Sequence, residues 1–153
     1  MGKIGFFRRK EKGGYRQGVF QPTNPGKYKG TIPIIFRSGY EEKFCRFCDI
    51  NENIISWGSE SVVVEYFDPV KQKMRRYYVD FVITLKDGKT ILIEVKPEKQ
   101  TRPPKKAGKK TDMTLLREQR VYATNQAKWE AATNICKKKG WIFKIMTERD
   151  LNI

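Results

Sequence analysis

The chain reads as an α/β fold of the α+β kind: a helix, a three-stranded antiparallel meander, a long helix and one further strand. Three observations predict it. Tyr77–Leu85, then Lys86-Asp87-Gly88-Lys89, then Thr90–Lys96 set two runs of β-branched and aromatic residues around an Asp-Gly, the pattern of a β-hairpin. Asp112–Lys139 keeps apolar residues at helical spacing and ends in Lys137-Lys138-Lys139-Gly140, where the cations suit the helix dipole and the glycine stops the helix. Trp141–Met146 follows as an apolar run of strand length.

At 153 residues the chain is most simply one domain with a sizeable core. We expect residues 1–30 to be a basic arm and residues 31–153 the folded domain. Lys and Arg outnumber Asp and Glu by 32 to 17, a net charge of +15 that favours a polyanion as partner, nucleic acid first. On charge alone, a basic ribosomal-type or membrane-surface protein stays open. No apolar run approaches the roughly 20 residues of a membrane span, and the start lacks a signal-peptide core, so no membrane is expected as partner. Cys45, Cys48 and Cys136 fit reduced thiols in cytoplasm. Cys45-Arg46-Phe47-Cys48 resembles half a zinc site, but with no histidine and three cysteines in all, four ligands are not available.

Taking the elements in order, residues 1–30 are glycine-rich and interrupted by Pro22 and Pro25, with Phe6, Phe7, Tyr15, Phe20 and Tyr28 interleaved without periodicity. They read as an extended arm that meets the domain surface or a nucleic acid, with arginines on phosphates and aromatics on bases; a loosely packed tail is the alternative. Ser38-Gly39-Tyr40-Glu41 opens a helix to Cys48 whose buried face is Tyr40, Phe44, Cys45, Phe47 and Cys48. Glu41 lies at the edge of that face. It is either the capping-box partner of Ser38 or a further acid leaning over the hairpin, whereas Glu42 points outward. Glu60–Phe67 makes the first strand of the meander, and Asp68-Pro69 turns the chain back to Met74-Arg75-Arg76 and the hairpin. Glu60 and Glu65 read as surface or edge residues first and auxiliary acids second.

Pro97 ends the hairpin's second strand, and a basic loop runs on to Thr111 through Lys99, Arg102, Lys105, Lys106, Lys109 and Lys110. Leaving the hairpin directly, it is placed to grip a phosphate backbone; a solvated linker is the alternative. In the long helix Leu115, Leu116, Tyr122, Ala123, Ala127, Ala131 and Ile135 are expected to face inward. The last strand is expected parallel to the one carrying Glu94, through a right-handed crossover. Thr147 with Asp150 caps a final turn.

Register decides what the hairpin carries. A two-residue loop at Asp87-Gly88 would send Asp80 and Glu94 to opposite faces. A three-residue loop, Lys86–Gly88 with Gly88 left-handed, pairs Leu85 with Lys89 and Asp80 with Glu94. One face then holds Val79, Phe81, Ile83, Leu85, Ile91, Ile93 and Val95; the other holds Asp80, Val82, Thr84, Thr90, Leu92, Glu94 and Lys96. That sorting favours the three-residue loop. Two adjacent carboxylates repel and lose hydration unless a divalent cation lies between them, and Lys96 on the same face suits metal-assisted attack of water on a phosphodiester. A cross-strand salt cluster, with Lys96 offsetting Glu94, is the alternative.

Glu41, Asp80 and Glu94-Val95-Lys96 resemble the E…D…(D/E)xK signature of the PD-(D/E)XK, restriction-endonuclease-like superfamily. The flanks are more specific. Pro25-Gly26-Lys27-Tyr28-Lys29-Gly30, Phe36-Arg37-Ser38-Gly39-Tyr40-Glu41, Trp57-Gly58-Ser59-Glu60, Arg75-Arg76-Tyr77-Tyr78-Val79-Asp80 and Ile93-Glu94-Val95-Lys96-Pro97 resemble the head completion nucleases of contractile-tailed phages. So do Gln100-Thr101-Arg102-Pro103-Pro104 and Trp141–Glu148, and the resemblance covers the chain from about Pro25 to Glu148. It implies a Mg²⁺-dependent DNA endonuclease, with Mn²⁺ able to substitute, that acts in head completion and head-tail joining by trimming packaged DNA. Asp80 and Glu94 would be metal ligands with the Val95 carbonyl, Glu41 a further ligand or positioning acid, and Lys96 the residue that orients or activates the water. Arg37, Arg75, Arg76 and the loop cations Lys99, Arg102, Lys105, Lys106, Lys109 and Lys110 would hold DNA. Phage head or portal-neck proteins would be partners, a homodimer stays open, and the setting would be the host cytoplasm during assembly or the virion's head-tail junction. A transposon-end endonuclease of the TnsA type is similar, although that family generally carries a further partner-binding domain for which this chain leaves no room. The opposing class is a non-catalytic DNA-binding or head-joining protein on the same scaffold.

Overall fold

The computed structural model describes residues 17–151. Its centre is a four-stranded sheet of β3 (Ile54–Ser59), β6 (Phe81–Leu85), β7 (Thr90–Val95) and β8 (Ile142–Met146), in that spatial order. β3, β6 and β7 run antiparallel, and β8 adds in parallel beside β7, as its place after a helix requires. Two helices cover the sheet: α1 (Gly39–Ile50) and α2 (Asp112–Lys139). Two small antiparallel pairs complete the domain, β1 (Gly18–Phe20) with β2 (Ile34–Phe36) and β4 (Val63–Asp68) with β5 (Lys73–Tyr78).

The β6–β7 hairpin has the three-residue register. Phe81 opposes Ile93 and Thr84 opposes Thr90, and the Leu85 N–H donates to the Lys89 carbonyl. Gly88 closes the loop at φ +92°, a conformation that a side chain makes costly. Alternation then sends Phe81, Ile83, Ile93 and Val95 to one core with Phe44, Cys45, Cys48 and Trp57. Leu92 enters a second core with Val64, Tyr66, Tyr77, Trp129, Ala132 and Cys136. The sheet is therefore covered on both faces, and its second face is less wet than the sequence pattern suggests.

Three antiparallel neighbours are present, but they are not the consecutive strands of a meander: the strand beside β6 is Ile54–Ser59 rather than Glu60–Phe67, and β4 and β5 intervene in the chain. The chain leaves the sheet at Glu60, which takes a left-handed φ of +53°, and β4 and β5 fold onto α2 as a separate hairpin. Buried Asp68 ties that hairpin down: it accepts from the Val70 and Lys71 backbone N–H groups, the Arg75 guanidinium and the Thr124 hydroxyl of α2. Val79 consequently belongs to the α2-side core instead of the Phe81 face, because alternation is broken where the chain passes from β5 to β6.

Of the segment expected as an arm, residues 18–28 are built into the domain. Phe20 is buried, Tyr28 packs edge-on against Trp57 with ring centroids 4.8 Å apart, and buried Asp49 accepts from the backbone N–H groups of Thr23 and Asn24. Lys27 caps the end of α1 by donating to the carbonyls of Asp49 and Asn51. Residues 1–16, with Phe6, Phe7 and Tyr15, lie outside the described residues.

Both helices start on hydroxyl caps, Ser38 and Thr111, and α2 stops at Gly140 in the left-handed region. Their faces match expectation in part, with Phe44, Cys45 and Cys48 buried on α1 and Ala127, Ala131 and Ile135 packed against the second core. Phe47 is exposed and Asp49 buried on α1; on α2 the buried set is Asn125, Trp129, Ala132 and Cys136, with Leu116 exposed. α2 lies across both the β4–β5 hairpin and β8, so the largest side chain, Trp129, sets its rotation. The three cysteines are unpaired and buried, and burial pushes their thiols up. Among the described residues no helix is long and apolar enough to cross a membrane. Gly88→Ala is expected to lower the unfolding free energy by about 1 to 2 kcal/mol in urea titration, the usual cost of a left-handed non-glycine residue; an unchanged midpoint would refute the role given to this turn.

Candidate active site

β6 begins and β7 ends at the same end of the sheet, and extending their register one pair beyond Phe81 and Ile93 brings Asp80 opposite Glu94. The Val95 backbone N–H crosses to donate to Asp80 Oδ2 at 2.8 Å. Glu94 is 5 % exposed. Its Oε1 accepts from the buried Tyr77 hydroxyl, and its Oε2 lies 3.2 Å from Lys96 Nζ. Glu41, in the first turn of α1, accepts from the Arg37 backbone N–H at 2.9 Å while its own N–H donates to Ser38 Oγ. The capping box thus closes on the residue before Ser38, and it leaves the Glu41 carboxylate within reach of the charges of Asp80 and Glu94.

Charge on these acids is expensive. Loss of water pushes the Asp80 carboxyl well above the usual carboxylate range, and the neighbouring charges of Glu94 and Glu41 push it further; the Val95 N–H and Lys96 only partly oppose this. Glu41 is raised for the same first reason, with Glu60 and Glu94 adding repulsion and the Arg37 N–H opposing it. Burial and the adjacent Glu94 likewise raise Tyr77, so its hydroxyl remains a donor. Glu60 also meets this cluster: its N–H donates to the Asp80 carbonyl, and its carboxylate pairs with Arg37 at 2.9 Å.

The expected DNA-holding cations divide into two groups. Arg37, Arg75, Arg102, Lys106 and Lys110 are paired with Glu60, Asp68, Glu98, Asp112 and Glu118 respectively. Arg76, Lys99, Lys105 and Lys109 are exposed. The basic loop starts with a 3-10 turn, Glu98–Thr101, held to the C-terminal segment by Glu148 and Arg149. Three residues of the site went unread in the sequence. Tyr77 holds Glu94; Lys128 of α2 places its ammonium 5.5 Å from the centre of the Tyr77 ring; Trp129 buries itself in the same core. The available signal was a lysine beside the one tryptophan on an alanine-rich helix.

Oxygen donors that repel one another and lack water suit a hard divalent cation. The donor set therefore fits, although among the described residues no three acids are already gathered closely enough to hold an ion. Two Glu94 oxygens and one Asp80 oxygen are taken by Tyr77, Lys96 and Val95. A consequence for stability follows. An acid with a raised folded-state pKa stabilises the fold while protonated, and that stabilisation is lost as pH climbs from the ordinary aspartate range through the raised value. In chelator, Asp80→Asn is expected to melt above the parent at neutral and mildly alkaline pH, with the gap closing toward acid. A divalent cation should raise the parent's melting temperature and leave that of Asp80→Asn unmoved. Identical melting curves across pH would contradict the placement of Asp80 among repelling charges.

The chain matches the family described as TnsA-like endonuclease N terminal over residues 51–148, more than half its length. Asp80, Glu94, Val95 and Lys96 lie inside that match, and Glu41 precedes it. The head completion nuclease of Enterobacteria phage T4 is 37% identical over 138 residues, covering 88% of this chain and 92% of that protein. No solved structure matches the chain. With the mixed helix-and-sheet core already described, these matches show that the chain belongs to the TnsA-like endonuclease family, of restriction-endonuclease-like fold.

Proposed function

We propose that this protein is a divalent-metal-dependent DNA endonuclease that completes phage heads. The observation that carries the reading is the meeting of Asp80 and Glu94 across the hairpin register, with Lys96 on the same carboxylate. Asp80, Glu94 and the Val95 carbonyl would hold Mg²⁺, or Mn²⁺ in its place, with Glu41 as a further ligand or positioning acid. Bound there, the cation would polarise a phosphoryl oxygen and lower the pKa of a water.

The chain's own residues do the rest. Tyr77 keeps Glu94 in one orientation, and the Val95 N–H does the same for Asp80. Lys96 would leave Glu94 when the cation binds, so that its ammonium orients the attacking water or balances charge gathering on the phosphate. Arg37, Arg75, Arg76 and the cations from Lys99 to Lys110 hold the backbone, and surface ion pairs of the kind several of them make are weak enough to be exchanged for phosphates.

Head completion comes from the T4 relative, whose length this chain nearly spans. On that reading the enzyme trims packaged DNA so that head and tail can join, in the cytoplasm of the infected cell or at the junction in the virion, against head or portal-neck proteins. Transposon-end cutting of the TnsA type is the second reading, favoured by the family match over residues 51–148. Plasmid and linear duplex incubated with Mg²⁺ should be cut by the parent. Asp80→Ala and Lys96→Ala should each lose roughly 10²- to 10⁴-fold in rate while keeping DNA binding. A parent that cuts nothing with Mg²⁺ or Mn²⁺ would leave the DNA-binding scaffold as the answer.

A further inference from the structure

We infer that Lys128, on α2, is a second active-site cation that takes a backbone phosphate of the DNA strand being cut. This rests on the endonuclease reading and adds to it a residue from an element that reading leaves unused.

Lys128 is half-buried, and its ammonium lies over the face of Tyr77, 5.5 Å from the ring centre. The hydroxyl of that same ring donates to Glu94 Oε1, while Lys96 sits on Oε2. Lys96 therefore meets Glu94 directly, whereas Lys128 is linked to it only through the ring whose hydroxyl holds the other oxygen. They differ in their partners. Lys96 has Glu94, and in the loop Lys106 has Asp112 and Lys110 has Glu118. Among the described residues Lys128 has the Tyr77 ring and no carboxylate in ion-pair contact.

An ammonium stripped of part of its water is costly unless an anion or good acceptors replace that water. A ring face returns some of the loss, not all. Burial accordingly lowers the Lys128 pKa; Glu94 and Asp80 pull it back up, Lys96 and Arg75 push it down. In space the ammonium stands one ring away from the carboxylate that Lys96 pairs with, beside the proposed cutting site. A phosphate is the anion such a site would receive, and it would complete what the fold leaves unfinished. The plainer account is that the lysine stem merely covers Tyr77 and the charge reaches water.

Binding to a short duplex, followed by fluorescence anisotropy in chelator on the Asp80→Ala background, separates the two. Lys128→Met should reduce the slope of log K against log salt concentration by about one, and Lys128→Arg should restore it. In the otherwise intact protein, Lys128→Met should cut DNA on the order of 10²-fold more slowly in Mg²⁺ with an unchanged or raised melting temperature. A parental salt slope in Lys128→Met overturns the inference. So does a fall in melting temperature that the arginine variant does not repair, since that marks a packing role. If the parent fails to cut DNA, the endonuclease reading falls while the salt slope still decides whether Lys128 meets a phosphate.

Discussion

The site depends on the pairing register of one hairpin. Gly88 in its left-handed turn commits β6 and β7 to a pairing in which Phe81, Ile83, Ile93 and Val95 share a core, and the next position outward is Asp80 against Glu94. Slipping by one residue would turn every one of those side chains to the other face. Apolar burial thus determines where the acids meet. The energy that holds the register is distributed over a dozen buried residues, which lets the fold tolerate an unfavourable contact at its edge.

That contact is unfavourable by construction. Asp80, Glu94 and Glu41 lie near enough for their charges to act on one another in a chain whose net charge is +15, so the acidic spot is an exception in a basic molecule. On the proposed reading the surrounding cations would draw a polyanion in, and the acids would then take a cation between themselves and its phosphates. Tyr77, Val95 and Lys96 keep the carboxylates ordered in the meantime, each through a donor that does not compete for the same oxygen. Stability given up here is the ordinary cost of a preorganised site.

The β4–β5 hairpin supplies the remaining piece. By leaving the sheet at Glu60 and docking on α2 through Asp68 and Thr124, it carries Tyr77 under Lys128 and up to Glu94. An edge strand in the sheet could not do this, because Tyr77 would then stand beside the carboxylates instead of reaching across the α2-side core. The hairpin's other face leaves Phe67, Met74 and Tyr78 in solvent.

Alternation, turn chemistry and helix signals determined much of this from the sequence alone. The three-residue loop, the pairing of Asp80 with Glu94, the extent of Asp112–Lys139 with its glycine stop, and the parallel placement of the last strand are local consequences of residue type and spacing. What the tertiary structure decided is which surfaces face each other. Whether Glu60–Phe67 continues the sheet or folds away, whether Gly18–Tyr28 is arm or core, and which side of α2 is buried depend on contacts between residues far apart in the chain. Tyr77 and Lys128 belong to that second kind: residue type and spacing assigned neither a role, and Tyr77 acquires one only because a remote strand presents Glu94 to it, Lys128 only because its helix lies over Tyr77. Periodicity reports that a residue will be buried; the partner it is buried against is set by the packing of whole elements.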